Sequence, residues 1–269
     1  ARASMTLEVI AERPDSRYLV APDAGRAARA GVRRKGEHDL TRRGARAGVL
    51  PHAHSGMTTS REPYRYFAWL VIAWTGAWLL HEHAEVGALS PWARSAYWTT
   101  AKAIVWLAPI ALIVRVAWRR PVLEHLGLVR FGRGVRVGLG VGAIFVALAA
   151  CVDLLTRSHA WPTFGPGLLN ALVIAPLFEE VMFRGFALRA LQARGHRFWT
   201  ANLIAALMFL GLHLPGWHFM GAMGPPQALV AASVVVIGLV AGYAARRADS
   251  TWAAVVVHLV NNLYAAFVR

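Results

Sequence analysis

Two adjacent glutamates, Glu179 and Glu180, interrupt an otherwise apolar run that extends from Leu168 to Arg184. A carboxylate at membrane depth costs about 3 kcal/mol on insertion scales, so a pair of them marks either a functional site or a buried ion pair. Arg184 follows Glu180 by four residues, on the same helical face, where it can brace that carboxylate. Glu179 points about 100° away and has no such partner in its own helix. Two later apolar runs carry groups it could meet. Phe209 and His213 stand four apart in one, His258 and Asn262 four apart in the other. Taken singly, each histidine reads as a hydrogen-bonded packing residue, and Asn261 and Asn262 as glue between helices. Brought to one depth, a carboxylate, two imidazoles and an amide could move protons to and from a held water and stabilise an oxyanion. A zinc ion on Glu179, His213 and His258, with one open coordination position, is the rival arrangement. The chain lacks the HExxH spacing for it, and Asn is an uncommon zinc ligand.

The surrounding sequence must place those groups. Hydrophobic residues make up 57% of the 269 positions, charged residues only 16%, and mean hydropathy is +0.42. Soluble domains carry about 25% charged residues. The composition therefore predicts an all-α, polytopic transmembrane helix bundle. Spans of about 20 apolar residues fall near 66–81, 101–118, 136–155, 168–187, 198–214, 226–245 and 252–268. Arginines crowd alternate connections: Arg119, Arg120, Arg130, Arg133 and Arg136, then Arg189, Arg194 and Arg197, then Arg246 and Arg247. That alternation puts the amino end inside and the carboxyl end outside across seven spans. It also accounts for the 29 Lys+Arg against 14 Asp+Glu without a nucleic-acid partner. The bilayer is the partner the composition demands.

Residues 1–65 stand apart, with 13 basic and 7 acidic residues and no apolar periodicity. They read as a basic, disordered cytoplasmic arm or an upstream extension, and residues 66–269 as the membrane domain. Depth follows from arithmetic. With a turn near Gly195-His196, Glu179 and His213 are equidistant from position 196 and face each other across a hairpin. His258 lies nine residues past a turn at Asp249, hence at similar depth from the same side.

Other candidates are thinner. His81-Glu82-His83 reads as a solvated loop after the first span, and His218 as lying beyond Pro215-Gly216, outside the shared depth. Cys151 is the sole cysteine, which excludes a disulfide framework or zinc ribbon. In an apolar span it reads as a small packing residue rather than a nucleophile. No Gly-x-Ser-Gly nucleophile sits on an apolar helix, since His54-Ser55-Gly56 lies in the polar arm.

In order along the chain, Glu179-Glu180-Val-Met-Phe-Arg184 followed by Gly185, then Phe209 to His213, then His258 to Asn262, resemble the EExxxR, FxxxH and HxxxN motifs of the CAAX-protease and bacteriocin-processing (Abi) family of intramembrane proteases. The resemblance covers about residues 120–268 and includes Leu126-Gly127-Leu128 upstream of the core. It implies an intramembrane endopeptidase of a bacterial cytoplasmic membrane, acting on a protein or peptide substrate. It implies that Glu179 and His213 activate water, that His258 and Asn262 stabilise the tetrahedral intermediate, and that Glu180, Arg184 and Phe209 support them. A mechanism without cofactor is favoured, with zinc on the same residues as the alternative. A non-catalytic binding or immunity protein is the reading from a different class.

Overall fold

The computed structural model describes residues 62–153 and 160–268, which form seven long helices. They are α1 (Glu62–His83), α2 (Pro91–Ala117), α3 (Phe131–Asp153), α4 (residues 166–193), α5 (Phe198–Phe219), α6 (Pro226–Ala248) and α7 (Thr251–Phe267). Each overlaps one predicted span. Among the described residues, four helices (α2, α3, α5 and α6) meet the length and composition needed to cross a membrane. The other three depart from that composition visibly. α1 ends on His81-Glu82-His83, α4 carries Glu179, Glu180, Arg184 and Arg189, and α7 has 17 residues. The architecture is an all-α, multi-pass membrane bundle. Residues 1–61, with His54-Ser55-Gly56 inside the expected basic arm, lie outside the described residues, while Glu62–Arg65 belong to α1.

The bundle has an apolar outer face and a mostly apolar core, within which a few polar groups are gathered. Ile72, Ile104, Leu112, Ile144, Leu148 and Leu229 are exposed, as lipid-facing residues should be. Lys102, Glu179, Glu180, Arg184, Asn202 and His258 are buried. The bilayer is the apolar phase, so the interior is where polar groups can find partners.

Two boundaries and two residue placements differ from the sequence reading. α2 begins ten residues earlier than expected, because Pro91 occupies its first turn and the Ser90 hydroxyl accepts the Ala93 N–H at 3.3 Å. α5 runs through Pro215 to Phe219, so His218 lies within the helix rather than beyond it. His81 is buried in the last turn of α1 against Trp78 and Trp98 instead of standing in a solvated loop. Cys151 is exposed on the last turn of α3, not packed; there the bilayer, rather than a neighbouring helix, supplies the apolar surroundings.

Glycines set the helix spacing. On α3, a methyl at Gly134 would lie 2.6 Å from Trp252 Cβ, and one at Gly138 would lie 2.7 Å from the Ala253 carbonyl oxygen. Gly142 continues the row, with a methyl 3.2 Å from Val260 Cβ. Four-residue spacing of the smallest side chain lets α3 and α7 approach backbone to backbone. The Leu126-Gly127-Leu128 segment then ties the rim. Thr251 donates its N–H to the Gly127 carbonyl at 2.9 Å and its hydroxyl to Leu126 O at 2.6 Å, and the Trp252 indole donates to Leu128 O at 2.8 Å. Those bonds occupy backbone groups at the start of α7 and fix its entry angle.

Two helices depart from regular winding. α2 has wider, i→i+5 turns at Ala103–Leu107 and Ile113–Ala117, and α4 has them at Asn170–Ile174 and Val181–Ala187. Buried residues on α2 recur every four positions: Trp98, Lys102, Trp106, Ile110 and Val114. At 3.6 residues per turn a four-residue row drifts around the helix, and wider turns take up the drift. Such turns collect at functional sites.

Candidate functional site

α4 supplies the charges. Arg184 and Glu180 are almost wholly buried, with Nη1 of the guanidinium 3.0 Å from Glu180 Oε1 and 2.9 Å from Oε2. Its Nη2 donates to the Gly238 carbonyl on α6 at 2.7 Å, and the guanidinium lies 5.0 Å from the Phe209 ring centroid on α5. Gly238 permits this approach, since a methyl there would meet Arg184 Nη2 at 2.9 Å. One side chain therefore joins α4, α5 and α6.

Glu180 has a second partner that the sequence did not reveal. The Nδ1–H of His258, on α7, donates to Glu180 Oε1 at 2.8 Å, because a carboxylate bound to Arg184 can only accept. That bond turns Nε2 of His258 toward Glu179, whose Oε2 is 3.9 Å away. The separation is too long for a hydrogen bond and leaves space between the two groups. His213 is oriented in the same manner. Its Nδ1 donates to the Phe209 carbonyl at 2.8 Å, so the neutral ring keeps its proton there and carries a free lone pair on Nε2. The Phe209 ring packs edge-on against His213 and His258, with centroids 4.7 and 5.8 Å apart.

Asn262 lies one turn beyond His258 on α7. It donates Nδ2–H to the Ala171 carbonyl at 2.8 Å and accepts from Asn261 Nδ2 at 3.2 Å. Ala171 sits in the first wide turn of α4, so Asn262 grips α4 where its winding relaxes. One amide hydrogen of Nδ2 remains after the bond to Ala171. The structure thus gathers Glu179, Glu180, Arg184, Phe209, His213 and His258 around one buried centre, with Asn262 at its edge. Among the described residues, no three His, Cys, Asp or Glu side chains form a group able to hold a metal ion.

Lys102 is the residue that sequence reasoning missed. It is buried on α2, within electrostatic reach of Glu179 and His213, and donates to Asn170 Oδ1 at 3.4 Å. The signal was present as the one charge between Arg94 and Arg115. A single lysine there resembles the arginines of the connections.

Fold and site together define a multi-pass helical membrane protein with a buried carboxylate–imidazole centre. Residues 161–264, the stretch that holds all three motifs, match the family described as Type II CAAX prenyl endopeptidase Rce1-like. The match bears out the resemblance to CAAX-type proteases carried by the motifs. Comparison with curated proteins gives no match, and comparison with solved structures gives none.

Proposed function

We propose that this protein is an intramembrane endopeptidase that hydrolyses a peptide bond with water activated by Glu179 and His213. The observation that carries the proposal is the division of labour between the paired glutamates. Glu180 is committed to Arg184 and His258, whereas Glu179 faces His258 Nε2 across 3.9 Å, with no closer partner among the described residues. A water in that gap can give its proton to Glu179 while its oxygen attacks the scissile carbonyl. Glu179 then returns the proton to the leaving amine. His213 Nε2, with its lone pair free, is the second acceptor that orients the water. His258, held at Nδ1 by Glu180, presents Nε2 to the reacting centre, where a protonated Nε2 would donate to the oxyanion. The remaining amide hydrogen of Asn262 is the second donor.

We favour a water-only centre over zinc because, among the described residues, no three His, Cys, Asp or Glu side chains form a metal-holding group. Zinc on Glu179, His213 and His258 is separated by chelation. The water-only enzyme keeps its activity and contains no stoichiometric zinc, whereas a zinc enzyme loses activity and regains it on adding metal.

The substrate follows from the matched family's description, a prenylated CAAX-type chain. The test is cleavage of a prenylated reporter peptide by purified protein in lipid. Glu179→Gln, His213→Ala and His258→Ala should each lower turnover by about a hundredfold or more. Retained cleavage in all three variants would leave a binding protein rather than an enzyme.

A further inference from the structure

Beside the proposed catalytic centre, α2 presents Trp98, Lys102 and Trp106 in one buried row. The Lys102 ammonium has three N–H donors, yet its hydrogen bonding consists of one long contact, 3.4 Å to Asn170 Oδ1. Among the described residues no carboxylate pairs with it within 4.0 Å. It lies over the Trp106 ring, 5.2 Å from the centroid. The neighbouring groups add further donors without acceptors. The indole N–H groups of Trp78, Trp98 and Trp106 are buried with no partner among the described residues. Their rings are contiguous: Trp106 lies 4.6 Å from Trp74, Trp74 lies 5.2 Å from Trp98, and Trp98 lies 4.4 Å from Trp78.

A buried polar group without a partner is unfavourable, and a buried charge without a counterion far more so. Here one cation lies beside the Trp106 ring within electrostatic reach of Glu179, and the Trp74, Trp98 and Trp78 rings continue from Trp106. The missing element is an anion rich in acceptor oxygens.

We propose that Lys102, beside Trp106, forms a subsite for a carboxylate of the bound peptide, and that it sets specificity by anchoring that carboxylate beside the scissile bond. The subsite rests on the peptidase reading above. A carboxylate answers the ammonium. Its source is either the free carboxyl terminus of the substrate or an acidic side chain near the cut. Trp106 below the ammonium keeps the charge in place when the subsite is empty.

The experiment measures binding and cleavage separately. Full-length Glu179→Gln protein in lipid nanodiscs is titrated with a fluorescent prenylated peptide in three forms: free carboxyl terminus, amidated terminus, and amidated terminus with aspartate as last residue. The free-acid or the aspartate form should bind more tightly than the plain amide. Adding Lys102→Met should weaken that form by about thirtyfold, the low end of what losing a buried charged contact costs. It should leave the plain amide unchanged, and Lys102→Arg should restore most of the preference. The form that responds identifies the source of the carboxylate. In the Glu179-containing enzyme, Lys102→Met should raise KM for the responsive peptide more than for the plain amide. Equal binding of all three peptides, no binding of any, or a rise in KM no larger for the responsive peptide than for the plain amide would overturn the subsite. The first two outcomes need no Lys102 variant, so a misfolded variant cannot shelter the idea. Lys102-dependent binding without cleavage by the unsubstituted enzyme would instead sink the peptidase reading and leave the subsite standing.

Discussion

Around α4 to α7 the buried charges answer one another: Arg184 meets Glu180 and Gly238, and Glu180 meets His258. Between α1 and α2 the buried donors do not. The indoles of Trp78, Trp98 and Trp106 lack acceptors, and Lys102 has a single long contact. The difference teaches where each kind of polar group can be tolerated. An ionised pair stripped of its partner in a low-dielectric interior loses several kcal/mol, so the charged centre must be complete before any ligand arrives. A neutral N–H left open loses only about 1–3 kcal/mol, so a ligand-facing wall can be lined with such groups. The matched region, residues 161–264, contains the paired charges, whereas Trp78, Trp98, Lys102 and Trp106 come from helices ahead of it.

The largest test of this contrast is Arg184→Ala. Removing one member of a buried pair destabilises by about 3–5 kcal/mol. Thermal unfolding in detergent should show that loss for Arg184→Ala and near-normal stability for Glu179→Gln, although both impair turnover. Equal melting temperatures for the unsubstituted protein and Arg184→Ala would remove the bracing role.

A smaller effect is expected where glycine sets helix spacing. Gly138→Val should cost about 1–3 kcal/mol, because its side chain meets the Ala253 carbonyl and Val256. In α1, Gly76 has nothing within 4 Å of an added methyl. Gly76→Ala should therefore stabilise by about 0.5–1 kcal/mol, as expected in a helix interior. Denaturation curves showing the same sign for both would mean that the α3–α7 contact is less tight than its glycine row indicates.

A pH-dependent effect lies at the seam between the two regions. His125, in the short helix Val122–His125, stacks edge-on with Trp118 at 5.1 Å. Burial, with Arg189 and Arg120 nearby, lowers its pKa from 6.5 to about 4. The unfolded chain thus takes up a proton below pH 6.5 that the folded chain refuses until about pH 4. Stability from this group is complete above pH 6.5, falls as pH drops toward about 4, and is level below that. His125→Gln should flatten this part of the stability–pH curve. An unchanged slope would place the acid sensitivity elsewhere.

Much of the site was legible because its spacings are local. A separation of four residues fixes two side chains on one helical face wherever the helix packs, so Glu180 with Arg184, Phe209 with His213, and His258 with Asn262 follow from the chain alone. The turns behind the depth arithmetic were also written locally. Gly195 adopts a φ of 91° and Asp249 one of 49°, the left-handed conformations that end α4 and α6. The seven apolar runs gave the helices for the same reason, since solvation by lipid selects them residue by residue.

What the chain alone left open are the contacts between helices. Glu180 holding His258, Asn262 gripping Ala171 and Lys102 reaching Asn170 join residues 78, 91 and 68 positions apart. Periodicity names the inward face of each helix but not the neighbour that face will meet. That choice was made by the close approach of α3 to α7 along Gly134, Gly138 and Gly142, and by the wide turns that rotate α2 and α4. His81 and Cys151 show the same division, since one was read as exposed and is buried while the other was read as packed and is exposed. Hydropathy measures what a residue can tolerate, and in a bilayer both the lipid and the packed interior tolerate apolar groups. Only the packing of the helices decides which of the two a given side chain meets.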